Sequence, residues 1–357
     1  MKRHRNNNLD LLRLLFASMV VVAHCYELTA GRSAEPLVAL FGTLTLGNLA
    51  VDCFFILSGF LITESWLRAP HAGPFLFKRI RRIYPAYVVA FLVSVFIVGP
   101  LATTQPLPYL QNLDARQLAT NLITLHAPVT PPISGVANPV VNASMWTLLY
   151  EFCCYLALMI AGVAGYLKSK PLLVATLLVT LLSSIFIPHA DGGGNHLFVV
   201  TRFTLMFLSG TCFYILDIRR FLSAKLAVPA VAALAFCLTS HRLAEAGVAL
   251  FGAYVIFYVS FARTLWNPLP DISYGTYLYG WPAEILVIKY LDQGPLLDCL
   301  ISIPVALACG WLSWVLVEAQ AQKISYSDLR AGMGRGRIMT GKAVAVLLSK
   351  LAPRAPR

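Results

Sequence analysis

Apolar stretches long enough to cross a bilayer recur along this chain, and they settle its class before any single residue is weighed. A helix needs about 20 predominantly apolar residues to span the hydrocarbon core. That criterion predicts ten helices, at residues 8–28, 45–67, 80–99, 143–166, 171–188, 197–216, 225–240, 243–263, 272–291 and 295–317. The fifth and seventh are the shortest. With 58% hydrophobic residues, 12% charged residues and a mean hydropathy of +0.71, the composition is far from that of a water-soluble domain. The expected fold is therefore all-α and polytopic, with residues 1–320 as a transmembrane domain. Residues 321–357 form a basic cytoplasmic tail, interfacial or disordered, whose apolar stretch from Ala343 to Leu351 is too short to span. The first segment is long enough to span and lacks a small-residue cleavage site after it, so it is expected to persist in the mature protein.

The formal net charge of +12 points to orientation in a membrane more than to nucleic acid. Ten spans put both termini on one side. All of the 28 lysines and arginines then fall on that side except Arg32, Arg116, Arg202, Arg242 and Lys289. The termini are accordingly predicted to be cytoplasmic. The eight cysteines lie in or beside apolar stretches without metal-ligand spacing, which argues for packing residues rather than a metal site or a disulfide framework. On the outer side, the proline-rich connection from Pro100 to Asn142 reads either as a semi-ordered lid over an opening or as a solvated loop.

Against this background the first segment is unusual, because it carries Asp10, Arg13 and His24. Ionisable groups inside a bilayer are costly and mark function by default. Arg13 and His24 are eleven residues apart, a rise of ~16 Å and an angular offset of only ~20° on an α-helix. One helix face thus presents a cation near one membrane surface and an imidazole near the other. Counting inward from the expected helix ends, His24, Asp52, Glu151, Arg202 and Glu284 all fall in the outer third of the membrane. Convergence on one cavity would satisfy them, and a purely structural ion-pair cluster is the alternative. A histidine beside a carboxylate is equipment for general base catalysis on a hydroxyl. No serine or cysteine nucleophile motif accompanies it. At the inner surface, Lys78-Arg79-Ile80-Arg81-Arg82 places Arg79 and Arg82 one helical turn apart, suited either to phosphate groups or to lipid headgroups.

Together these pieces resemble the acyltransferase-3 family of integral membrane acyltransferases. The matching stretches are Leu9 to Arg13 with His24, Val51 to Ile62, Lys78 to Tyr87, Ser144 to Glu151, Asp271 to Leu278 and Trp311 to Glu318. The resemblance implies a ten-helix enzyme of the bacterial inner membrane that moves an acyl group, most often acetyl, from cytoplasmic acyl-CoA to a hydroxyl of a glycan or lipid-linked sugar. It implies no permanently bound cofactor and no metal. Arg13, Arg79 and Arg82 would serve the donor phosphates, His24 would be the essential catalytic group, Glu151 would support it, and Asp52 would belong to the same site. Arg202, Trp146, Tyr277 and Glu284 are the candidates for acceptor contact. Membrane lipids and a second copy of the chain are further partners left open. Two departures stand out: Gly280-Trp281-Pro282 occurs where the family often has a histidine, and Glu318 is followed by Ala319 rather than proline. A transporter or flippase for a lipid-linked sugar or small anion, and a non-catalytic scaffold, are the rival readings.

Overall fold

A computed structural model describes residues 7–133, 140–187, 195–262, 270–291 and 293–327. The basic tail expected beyond this range lies outside the described residues. The bundle is built from α1 (Leu9–Thr29), α2 (Leu46–Arg68), α3 (Ala72–Ala102), α4 (Ser144–Val163), α5 (Lys170–Phe186), α6 (His196–Ile215), α7 (Ala224–Leu238), α8 (Ala244–Phe261), α9 (Ser273–Tyr290) and α10 (Pro295–Ala321). Seven of these, α1, α2, α3, α4, α6, α8 and α10, are long and apolar enough to cross a membrane. The expectation of ten spans is thus met by length and composition for seven. α5 and α7 are apolar but shorter, at 17 and 15 residues. α9 has the length but carries Ser273, Tyr274, Thr276, Tyr277, Glu284 and Lys289. It is enclosed along nearly all of its length, so its polar groups meet protein rather than lipid.

Close helix contacts depend on glycine where backbones meet. A Cβ on Gly59 of α2 would run into the Phe207 carbonyl of α6, and one on Gly210 of α6 would run into the Ile56 carbonyl of α2. This reciprocal approach is the small-residue packing that membrane helices use in place of a hydrophobic drive. Gly275 and Gly310 do the same for α9 and α10. α1 packs against α2, α9 and α10, which places its Arg13–His24 face inside the bundle.

Proline shapes α9. Pro282 has no N–H, so the Leu278 carbonyl loses its helical partner. Asn142 Nδ2 replaces it, donating to that carbonyl at 3.0 Å and to Ser94 Oγ at 3.0 Å. Residues 134–139 lie outside the described residues, and the described part of the connection that reaches Asn142 packs along the bundle. Its short helices Pro106–Gln111 and Ala115–Thr124 turn back along α3. There Tyr87 OH donates to the carbonyls of Asn121 (2.9 Å) and His126 (2.7 Å), and Tyr84 OH to that of Ile123 (2.8 Å), near the middle of α3. The Asn121 carbonyl also accepts from the His126 N–H, and the tyrosine hydroxyls use the acceptor capacity that remains in this turn, so an amphipathic segment can lie against the helix. The shorter connection between α1 and α2 is held by Glu35, which is fully buried and accepts from the N–H groups of Leu37, Val38 and Leu46.

Candidate active site

Among the described residues, two cavities lie along α1, one lined by Arg13 near its start and the other by His24 and Glu27 near its end. The larger, about 700 Å³, is lined by His24, Glu27, Asn48, Ser144, Trp146, Arg202, Glu245, Tyr277 and Trp281, together with Arg32, Thr43 and Thr45 of the α1–α2 connection. The smaller, about 60 Å³, is lined by Arg13, Arg82, Glu151, Tyr155, Tyr274 and Tyr277 among others.

In the larger cavity His24 faces Glu284. Nδ1 of the imidazole lies 3.4 Å from Glu284 Oε2, an ion-pair distance longer than a well-formed hydrogen bond, and Glu284 has no exposed surface. The rings of Trp281 and His24 meet in a T-shaped arrangement, 4.7 Å between centroids and 78° between planes. The indole is itself fixed, since its N–H donates to the Val140 carbonyl at 2.8 Å. The imidazole is therefore held on one side by a carboxylate and on another by an anchored aromatic ring, with Nε2 left for the cavity.

Asp52 and Arg202 form a second buried pair, Oδ1 to Nε at 2.8 Å, and Arg202 also donates to the Asn48 carbonyl at 2.9 Å. They stand on the α2–α6 contact that Gly59 and Gly210 permit. Arg202 reaches the cavity wall, whereas Asp52 is enclosed behind it.

Glu151 stands elsewhere. Its Oε1 accepts from Ser58 Oγ at 3.0 Å and from the Tyr155 hydroxyl, and it lines the smaller cavity. Ser58 is at the middle of α2, so Glu151 meets that helix halfway along its length, on the smaller cavity and not on the larger one that His24 lines. The helix that carries it, α4, starts within the bundle. Its first turn, Ser144–Thr147, is a 3-10 turn already inside the bundle against Tyr277. The carboxylate brought to His24 is Glu284, not Glu151.

At the smaller cavity Arg13 and Arg82 both pair with Asp271, the latter at 2.6 Å, and Arg82 also reaches Glu318 Oε2 at 2.9 Å. Asp271 accepts from Ser273 Oγ at 2.5 Å as well. Burial works to raise the Asp271 carboxyl, but the guanidinium charges of Arg13 and Arg82 outweigh it and hold the group at about 2. Two cations and two carboxylates thus form one cluster joining α1, α3, the start of α9 and the end of α10. Arg79 is outside it: its guanidinium donates to Ser65 Oγ at 3.2 Å and lies over the rings of Phe75 and Tyr155. Asp271 and Glu318 belong to this cluster and are not among the site residues expected from sequence, although both stand in stretches that carry the family resemblance. The available signal was charge balance, because arginines at a helix end inside a bundle require counter-charges. Glu27, Glu245 and Thr147 carry no comparable signal.

Known proteins place this geometry in a family. A family model described as an acyltransferase domain matches residues 6–315. An O-acetyl transferase of Shigella phage Sf6 is 29% identical over 337 residues, covering 88% of this chain and 96% of that protein. Nodulation protein 10 of Rhizobium leguminosarum bv. viciae is 32% identical over 164 residues, 43% of each chain. Acyltransferase MdmB of Streptomyces mycarofaciens is 30% identical over 145 residues, covering 41% of this chain and 36% of that one. No solved structure matches. With the match running from before α1 into α10, this multi-pass protein of the bacterial inner membrane belongs to the acyltransferase-3 family of membrane acyltransferases.

Proposed function

We propose that the protein is an O-acyltransferase that takes an acyl group, in the first place acetyl, from cytoplasmic acyl-CoA and places it on a hydroxyl of a surface glycan or lipid-linked sugar. The observation that carries this reading is that one face of α1 puts Arg13 on one cavity and His24 on the other, ~16 Å apart along the helix. That span is comparable to the reach of a pantetheine arm. In this reading the termini and the arginine end face the cytoplasm, ten helices cross the membrane, and Arg13 and Arg82 receive the donor phosphates with Arg79 behind them. The larger cavity, with Trp146 and Trp281 on its wall, receives the acceptor sugar.

The chemistry assigned to His24 follows from its partners. Glu284 at Nδ1 favours the tautomer with the proton on that nitrogen and stabilises the imidazolium. Nε2 then removes the proton of the acceptor hydroxyl as its oxygen attacks the thioester carbonyl. The tetrahedral adduct collapses, the carbon–sulfur bond breaks, and the CoA thiolate takes the proton from His24. A transient acyl-imidazole on His24 is the other route to the same products. Asp52 acts through Arg202 in either case, and Glu151 belongs to the donor side.

Purified protein in lipid vesicles, given acetyl-CoA and a cell-surface glycan fraction, is expected to release free CoA thiol and to form acetyl ester. His24→Ala should remove both while leaving membrane insertion and the thermal transition in place. Full activity of that variant overturns the assignment. Movement of unmodified sugar with no dependence on acyl-CoA would favour a transporter instead.

A further inference from the structure

The two cavities share Val51 and Tyr277 among their lining residues, so the waist of the bundle lies there. Most of that waist is apolar, formed by Val51, Phe54, Phe55 and Leu148. One side is not. Tyr277 OH donates to the Ser144 carbonyl at 2.5 Å and pairs with Thr147 Oγ1 at 2.7 Å. If the phenol gives its proton to the carbonyl, the threonine hydroxyl must give its own to the phenol, and Thr147 Oγ1 keeps unused acceptor capacity. Ser144, which lines the larger cavity as Thr147 lines the smaller, has its Oγ buried without a hydrogen-bond partner among the described residues. An unpartnered hydroxyl in a buried apolar passage is costly and calls for a ligand group.

A secondary amide meets both requirements, because its carbonyl can accept from Ser144 Oγ–H while its N–H donates to Thr147 Oγ1. The waist lies between the arginine cluster and His24, where a donor arm would cross, and a pantetheine arm carries two secondary amides. We propose that Ser144, Thr147 and Tyr277 form a subsite for an amide of the donor's pantetheine arm, setting how far the thioester advances toward His24. This rests on the acyl-CoA reading given above. These three are positioning residues, not catalytic ones.

The test compares two acetyl donors in vesicles: S-acetylpantetheine, which has both amides, and the acetyl thioester of an alkanethiol of the same chain length, which has none. Ser144→Ala and Thr147→Val are each expected to lower kcat/KM with S-acetylpantetheine about 5- to 10-fold, and to change it less than twofold with the alkanethiol donor. Thr147→Ser should recover most of the loss, and Tyr277→Phe provides a further variant that keeps the ring in place. Equal losses with both donors would show a purely structural role and overturn the subsite. Failure of the unaltered protein to use acetyl-CoA at all would refute the donor reading itself, an outcome distinct from loss of the amide preference.

Discussion

At the level of single residues, Glu284 and Asp271 show two different uses of a buried carboxylate. Glu284 has no exposed surface, and among the described residues its ion-pair partner is the imidazole of His24. Replacing it by glutamine preserves shape but favours the wrong tautomer. Glu284→Gln is expected to lower kcat about 10²- to 10³-fold with a much smaller change in acceptor KM, measured by thiol release. A loss confined to KM would mean that Glu284 binds acceptor and does not orient His24. Asp271 is held by two guanidinium groups and has its pKa lowered to about 2. A depressed carboxyl stabilises the fold above the ordinary carboxylate range and loses that contribution as pH falls toward its folded value. The difference in thermal transition between the protein and Asp271→Asn should therefore be constant from about pH 5 to pH 8 and shrink only below about pH 4. A difference that varies near neutrality would contradict the clamp.

At the level of elements, what holds the site in place is the repair of helices that proline or an early turn has interrupted. Asn142 supplies the donor that Pro282 cannot, and in doing so ties the chain before α4 to the helix that carries Trp281 and Glu284. Asn142→Ala should cost about 1–3 kcal/mol, by leaving a buried carbonyl without a partner. The expected signature is a lower thermal transition together with reduced activity, and an unchanged transition would show that another group already satisfies Leu278. Much of this level was legible in the sequence. The apolar stretches located the ten helices, and the spacing of Arg13 and His24 fixed their shared face. The helix of residues 72–102 begins before the predicted position 80, which puts Lys78 to Arg82 inside it and confirms that Arg79 and Arg82 are one turn apart. Two things were not legible. Position counted from helix ends does not say which cavity a residue lines, and Glu151 lines the smaller one with Ser58 and Tyr155 beside it. Which carboxylate meets His24 depends on α1 and α9 lying side by side, a long-range contact that no local pattern encodes.

Across the whole molecule, the design is a bundle with a cavity at each end of α1 and a narrow waist between them. Charge is organised along the same axis, with the cluster of Arg13, Arg82, Asp271 and Glu318 at one end and the groups around His24 at the other. The family membership gives the reaction as acyl transfer. The most direct measurement is the mass of the cell-surface glycan from a strain lacking this protein, complemented either with the unaltered chain or with His24→Ala. The unaltered chain should add the mass of one acetyl group per modified sugar, sensitive to mild base as an ester is, and His24→Ala should add none despite equal protein in the membrane. The same mass increment from the His24→Ala strain, or no increment from the unaltered chain, would contradict acyl transfer at His24.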